Sequence, residues 1–436
     1  MKHAGSLSLN TDIRPIECES LPRKLSVTAL WLLAINGIIG AGIFGIPASA
    51  QALVSDFSPW LFVLCALLIA PVVLCFAELS SAFGNTGGPV IYVRTAFGPF
   101  AGFQAGWAYY IARLTAFAAN LNLLVVSVGY FWPAADEPWL RIALLAVLTA
   151  AMVWVNVVGA RAAMVSLGVL TVMKLLPLLA LAAYGASCVG ALPAPAMPPT
   201  QDLGAGLLLV IYAFVGFEAS VVAAGEARNP QRDLPRALLW ALLTVAVIYA
   251  LIQLAAQQLV ANLGDVEKPL LAAGGAWLGS VGVAMVALGI LTSVGGNLLS
   301  NMFTTARISY RLGLDQQLPD WFAQVHARHA TPANSILCYG IAAFALAASG
   351  SFVWLAVMSV LTRLLLYLSC IASMPAVRRQ TGAAQLLRLP GGWSIPLLSA
   401  AVCIALLTQV DVRAVVATAA LLAIGSVLYV VARKKQ

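Results

Sequence analysis

The chain has 436 residues, of which 61% are hydrophobic and only 9% are charged, and its formal net charge is +8. Water-soluble domains carry about a quarter charged residues, so this composition excludes a water-soluble globule and indicates a chain that lies mostly in a membrane. The positive charge is no argument for nucleic-acid binding, because membrane proteins concentrate Lys and Arg in their cytoplasmic segments.

Apolar runs of membrane-spanning length recur along the whole chain. A helix of about 20 apolar residues crosses the roughly 30 Å of hydrocarbon in a bilayer. The pattern therefore predicts an all-α integral membrane protein with about 12 transmembrane helices. The runs lie near residues 26–52, 58–83, 97–130, 139–158, 162–189, 203–225, 236–260, 273–309, 334–350, 352–376, 394–410 and 412–432.

The distribution of Lys and Arg predicts the orientation of these spans. Only three basic residues fall on the outer side and three within spans, and the other 18 of the 24 fall on the inner side. We therefore predict a multi-pass protein of the plasma (inner) membrane with cytoplasmic tails at residues 1–24 and 433–436. The three on the outer side are Arg141, Lys268 and Arg413. The three within spans are Arg113, Lys174 and Arg363.

The first span contains the sequence I-N-G-I-I-G-A-G-I-F-G-I-P at residues 35–47, which is unusually rich in residues that weaken helices. Its glycines match the dinucleotide fingerprint G-x-G-x-x-G, but that motif needs a preceding strand and an acid about 20 residues later. Residues 57–77 contain no acid. Close packing of two helices through Ala41 and Gly45 is an alternative explanation for the small residues.

The sixth span contains a second unusual segment at residues 212–219, with Gly216 and, two positions later, the ionisable Glu218. Interrupted segments at corresponding positions of two halves indicate a transporter binding site. Backbone groups freed by unwinding cannot face lipid and must line a cavity. Amides near Gly42 suit an anion, and carbonyls near Ala213–Gly216 suit a cation. Together they describe a site for a free amino acid.

Several motifs resemble those of the amino acid–polyamine–organocation (APC) permeases in order and spacing. They are G-I-I-G-A-G-I-F at 37–44, A-E-L at 77–79, G-G-P at 87–89, A-F-G-P at 96–99, F-V-G-F-E at 214–218, E-A-R-N-P-Q-R-D-L-P at 226–235, L-P at 318–319 and T-P at 331–332. The resemblance implies a LeuT-like fold of two inverted five-helix repeats, at residues 25–190 and 200–380, with two additional helices at 391–432. Spans 1 and 6 would be unwound in mid-membrane.

The resemblance also implies a substrate site. The amides of residues 39–42 would hold the substrate carboxylate, and the carbonyls of Tyr212, Ala213 and Val215 would hold its amino group. Tyr212 would act as a lid and Phe217 would shape the pocket; ordinary packing between helices is the alternative for both. Ser293 and Asn297 would line the pathway or form hydrogen bonds between helices. The predicted substrate-binding residues are Ile38, Ile39, Gly40, Ala41, Gly42, Tyr212, Ala213, Phe214, Val215, Gly216, Phe217, Ser293 and Asn297.

Charged residues inside spans are candidates for coupling and gating, because they are costly to keep there. Lys174 lies in a segment that resembles T-V-x-K-L-L of sodium-independent members, where the lysine occupies the place of a sodium ion. The resemblance implies that its ammonium ties span 5 to the unwound part of span 1, where it could also titrate; snorkelling to an interface is the alternative. Glu218 either titrates during transport or forms a fixed bridge between helix segments. Glu78 suits a gate with cytoplasmic arginines. Arg363 and Arg113 would pair with Glu218 or Glu78 or face an aqueous path, and a third alternative for Arg363 is that it modifies substrate choice.

We therefore expect a sodium-independent secondary transporter of amino acids, most simply neutral ones, that works by alternating access with proton symport or exchange. An exporter or antiporter of amino acids or polyamines is the alternative, and a membrane-embedded enzyme is a remote one. A channel would need a repeated filter, and a receptor would need a larger soluble domain. The expected partners are a small amino acid, possible coupling protons and the lipid bilayer, with no nucleic acid, cofactor or metal. The oligomeric state is not predicted.

Overall fold

The computed structural model describes residues 25–83, 88–158, 167–191, 194, 196–222, 227–380, 387, 389 and 391–434. The predicted tail at 1–24 lies outside these residues, as do Gly87 and Glu226 of the motifs and the last two residues of the tail at 433–436.

In the first half, the described residues form helices α1 to α7. Their bounds are α1 Val27–Ile38, α2 Gly42–Val54, α3 Ser58–Ala82, α4 Pro89–Phe97, α5 Pro99–Val128, α6 Pro138–Val158 and α7 Leu167–Ser187. Short 3₁₀ turns lie at Ser55–Phe57, Pro133–Asp136 and Val189–Ala191.

In the second half, the described residues form helices α8 to α16. Their bounds are α8 Thr200–Phe214, α9 Glu218–Val222, α10 Pro230–Leu259, α11 Pro269–Ile290, α12 Gly296–Leu314, α13 Ala333–Ser349, α14 Phe352–Gln380, α15 Ser394–Leu407 and α16 Val412–Arg433. A π-helical turn at Leu291–Gly295 joins α11 to α12, and 3₁₀ turns lie at Leu263–Asp265 and Asp320–Ala323.

Proline marks the start of many of these helices. Pro89, Pro99, Pro230 and Pro269 occupy the first turns of α4, α5, α10 and α11. The first turn of a helix has no internal acceptor for its N–H groups, so the missing N–H of proline costs nothing there, and its fixed φ suits the helix. The sequence therefore sets these boundaries locally.

Two parts of the fold differ from the predicted elements. The short helix α4 was not predicted, because its nine residues are too few to form a span. The long run at 273–309 is not one regular helix: the backbone leaves helical geometry at Leu278 and Gly279, where Gly279 has φ +58°, and the π turn interrupts it again. Glycine tolerates a positive φ without steric cost.

The helices form a bundle in which the two interrupted helices lie together. α2 packs against α8 and α1 packs against α9, while α5 lies along α14 and α3 along α10. Among the described residues, seven helical stretches are long and apolar enough to cross a membrane, and five further apolar helices are shorter. The chain is thus an all-helical, multi-pass membrane protein; its count of twelve spans stays a prediction.

Candidate functional site

The first helix break lies between α1 and α2. Helix α1 ends at Ile38, and the N–H of Ile39 still donates to the carbonyl of Ile35 at 2.8 Å. In this conformation the amide of Ile39 is therefore occupied and is not free to bind a carboxylate, as was predicted for it. The amides of Gly40, Ala41 and Gly42 have no acceptor within the described part of the chain. They remain a compact group of donors at the start of α2.

The second helix break lies between α8 and α9. Helix α8 ends at Phe214, and the N–H of Val215 closes its last turn on Ile211 at 3.1 Å. Gly216 has φ +111°, and its N–H donates to Oε2 of Glu218 at 2.9 Å instead of to the carbonyl of Tyr212. The last-turn carbonyls of α8 therefore lack helical donors, and they form a group of acceptors.

The two breaks are in direct contact. A Cβ atom built on Gly42 would lie 2.8 Å from Cα of Ala213, and one built on Gly216 would overlap the carbonyl oxygen of Gly37. Only glycine permits this approach at either position. The start of α2 therefore lies directly against the last turn of α8, and the second break lies against the last turn of α1.

Lys174 connects helix α7 to the first break. Its Nζ donates to the carbonyls of Ile39 at 2.8 Å and Asn36 at 3.1 Å, and the residue is only 4% exposed. An ammonium is thus fixed against the end of α1, where the helix leaves carbonyls without internal donors. This contact is the one expected for a tie between span 5 and the unwound segment.

A chain of polar side chains lies beside the breaks. Ser293 donates to the carbonyl of Gly40 at 3.1 Å. Asn120 Nδ2 donates to Asn297 Oδ1 at 3.0 Å, and the hydroxyl of Tyr212 donates to Asn120 Oδ1 at 2.7 Å. Asn120 was missed in the sequence, although an asparagine in the middle of the apolar run at 97–130 was a usable signal.

Two of the predicted pocket aromatics pack between helices. Phe214 lies edge-on to Tyr249 at 5.5 Å between ring centroids. Phe217 contacts Phe76 at 5.5 Å and Tyr367 at 5.6 Å, and it is 1% exposed. These ring contacts are those of packing between helices.

Glu218 and Arg363 form a buried ion pair. Arg363 Nε lies 2.8 Å from Glu218 Oε1, and the two side chains are 5% and 0% exposed. Oε2 of the same carboxylate accepts from the hydroxyl of Tyr367 at 3.2 Å and from the amide of Gly216. The guanidinium also donates to the hydroxyl of Ser359. This pair fixes α9 and the second break to helix α14.

The other two charged candidates have different partners. Arg378, near the end of α14, binds Glu78 through Nε at 2.6 Å and Nη2 at 2.9 Å, and its guanidinium lies 4.4 Å from the ring centroid of Trp393. Glu78 thus pairs with an arginine from the predicted cytoplasmic side. Arg113 contacts neutral oxygens on α12. No group of His, Cys, Asp or Glu among the described residues is suited to hold a metal ion.

Comparison with known proteins gives consistent matches over nearly the whole chain. A family model described as amino acid permease matches residues 25–432. An uncharacterized transporter of Mycobacterium tuberculosis is 28% identical over 447 aligned residues, which cover 96% of this chain and 94% of that protein. The serine/threonine exchanger SteT of Bacillus subtilis is 27% identical over 331 residues, which cover 72% of this chain and 74% of the exchanger.

Proposed function

Because the chain belongs to the amino acid permease family, we propose that it carries neutral amino acids across the plasma membrane, without sodium and by exchange. The observation that carries this proposal is the contact between the two helix breaks. The amides of Gly40, Ala41 and Gly42 have no acceptor among the described residues, and Gly42 lies directly against Ala213 in the last turn of α8. A carboxylate and an ammonium on one carbon atom match these two groups.

Sodium independence rests on Lys174. Its ammonium already binds two carbonyls of the first break. A sodium ion needs such oxygens as ligands, and a second cation within about 4 Å of the ammonium would be strongly repelled in this buried setting. The lysine Nζ thus occupies carbonyl oxygens that a co-transported sodium ion would need.

The contacts of Glu218 favour exchange over proton symport. Both oxygens of this carboxylate are engaged, and its main partner is an arginine, which stays protonated in proteins. Proton uptake by Glu218 would leave Arg363 as an unpaired buried charge, which costs about 3–5 kcal/mol. Glu218 therefore acts as a fixed bridge. The name of the relative SteT, a serine/threonine exchanger, is consistent with this mode.

Neutral substrates are favoured over polyamines and basic amino acids. A second ammonium would require a free acid beside the breaks, and Glu218 is engaged by Arg363. The polar side chains of Asn120, Asn297 and Ser293 are uncharged. An exporter or polyamine antiporter therefore has less support than an exchanger of neutral amino acids. By the distribution of basic residues, both termini lie in the cytoplasm.

The test is transport by the purified protein in liposomes. Labelled L-amino acids of each charge class are supplied outside, and uptake is compared with and without sodium, with and without a pH gradient, and with and without internal amino acid. We expect neutral amino acids to enter only when internal substrate is present. A strict sodium requirement would refute the role of Lys174, and uptake driven by a pH gradient alone would refute exchange.

A further inference from the structure

Arg113 is an intramembrane cation that takes no part in the transport site described above. It lies in the middle of α5, and its guanidinium reaches α12. We propose that Arg113 is a second carboxylate-binding position, which receives the amino acid between the helix breaks and the cytoplasmic end of the pathway. This inference rests on the proposed transport of amino acids.

The partners of Arg113 leave part of its binding capacity unused. Nε donates to Thr305 Oγ1 at 3.0 Å and Asn301 Oδ1 at 3.2 Å, Nη2 donates to Thr304 Oγ1 at 2.9 Å, and Nη1 donates to the hydroxyl of Tyr109 at 3.4 Å. Within the described residues, no carboxylate lies within salt-bridge distance. A guanidinium has five N–H groups, so one on Nη1 and one on Nη2 remain for a carboxylate.

The charge around Arg113 is not balanced locally. Ala112, the preceding residue, accepts a hydrogen bond from Arg363 Nη1 at 3.3 Å, so the guanidinium of Arg363 contacts α5 next to Arg113. Glu218 neutralises Arg363, which leaves the charge of Arg113 without a counter-ion among the described residues. Charged residues inside a membrane almost always face the interior of the bundle or a water-filled cavity. Thr304, the partner of Nη2, is exposed.

Arg113 lies in line with the candidate site. It precedes Asn120 by seven residues, so the two side chains share one face of α5 and are about 10 Å apart along the helix. On α12, Asn301 and Thr305 follow Asn297 by one and two helical turns. The two helices thus share a continuous row of polar contacts from the breaks toward the first residues of α5, which the basic residues place in the cytoplasm.

A substrate carboxylate that moves along this row would leave the free amides of the first break and bind the two free N–H groups of Arg113. Pairing of a carboxylate with a guanidinium through two parallel hydrogen bonds is geometrically specific and strong. The position therefore acts on substrate that binds from the cytoplasmic side and has no part in binding from the outside.

The test compares right-side-out and inside-out membrane vesicles that contain the full-length protein. Exchange of labelled L-serine, L-alanine and L-leucine is measured as a function of concentration on each side. For Arg113→Gln, the half-saturating concentration on the cytoplasmic side should rise about tenfold or more, since hydrogen bonds to a charged group are lost. The value on the outer side should stay within about twofold. Arg311→Gln, which removes an exposed arginine of the same helix pair, is the control.

A purely structural role for Arg113 predicts something else. If Arg113→Gln changes both sides equally, or neither side, the second position is refuted. Arg113→Lys retains the charge but not the two-pronged geometry of the guanidinium, so it should fold even if the glutamine variant does not. It should raise the half-saturating concentration on the cytoplasmic side, but less than Arg113→Gln does. An unchanged concentration would also refute the proposal. If the wild type carries none of the three amino acids, the proposed function itself fails and this inference falls with it.

Discussion

The ion pair between Glu218 and Arg363 allows a quantitative prediction. Both partners are buried, and the Nε–Oε1 distance is 2.8 Å. Removal of one partner leaves an uncompensated buried charge, which costs about 3–5 kcal/mol, whereas replacement of both by neutral groups is often close to neutral. Glu218→Gln and Arg363→Met should therefore each lower the free energy of unfolding strongly. The double variant should be more stable than the sum of the two losses predicts, by about 3 kcal/mol.

The assay is reversible unfolding in mixed micelles at increasing SDS, followed by tryptophan fluorescence, for the wild type, both single variants and the double variant. The exposed pair Arg311–Asp315 at the C-terminal end of α12, with an Nε–Oδ1 distance of 3.3 Å, gives a matched control cycle. An exposed pair four residues apart should show a coupling energy of only about 0.3–0.5 kcal/mol. If the losses in free energy of unfolding of the two single variants simply add in the double variant, the pair does not hold α9 to α14. In that case proton uptake by Glu218 would no longer be disfavoured.

Three further variants test the helix breaks. Lys174→Ala should reduce exchange at least tenfold while the protein still inserts, because two hydrogen bonds from a charged group are lost, each contributing about 1.5–3 kcal/mol; unchanged kinetics in vesicles would contradict this. Gly216→Ala should abolish exchange, since its Cβ would overlap the carbonyl of Gly37 at a positive φ, whereas Gly295→Ala, which has open space at its Cβ, should remain active. Asn120→Ala should raise the half-saturating concentration about tenfold on both sides; an unchanged value would remove it from the site.

Much of the fold and part of the site follow from local sequence signals. Apolar runs and prolines at helix starts define most helices, as at α5 and α10. The glycines at 40, 42 and 216 mark positions where the backbone is bent or closely approached, and their positions in the two halves predicted that the breaks belong together. The contact of Lys174 with the first break followed from family resemblance.

Other parts of the site depend on contacts that no local pattern encodes. Asn120 joins Tyr212 to Asn297 because α5, α8 and α12 meet there, although the three residues are far apart in sequence. The choice of Glu218 as the partner of Arg363 depends on how α9 lies against α14. The occupied amide of Ile39 reflects one additional hydrogen bond at the end of α1, and helix ends are poorly defined by sequence.

We propose that the two helix breaks, which lie in contact, together form a site for a free amino acid. Counterflow tests it most directly: liposomes containing the purified protein are loaded with unlabelled L-serine, L-alanine or L-leucine, and entry of the same labelled amino acid is followed with no sodium and no pH gradient. We expect transient accumulation of label above its external concentration, and loss of this accumulation in Gly216→Ala. Entry no faster than into protein-free liposomes, for every neutral amino acid supplied, would contradict it.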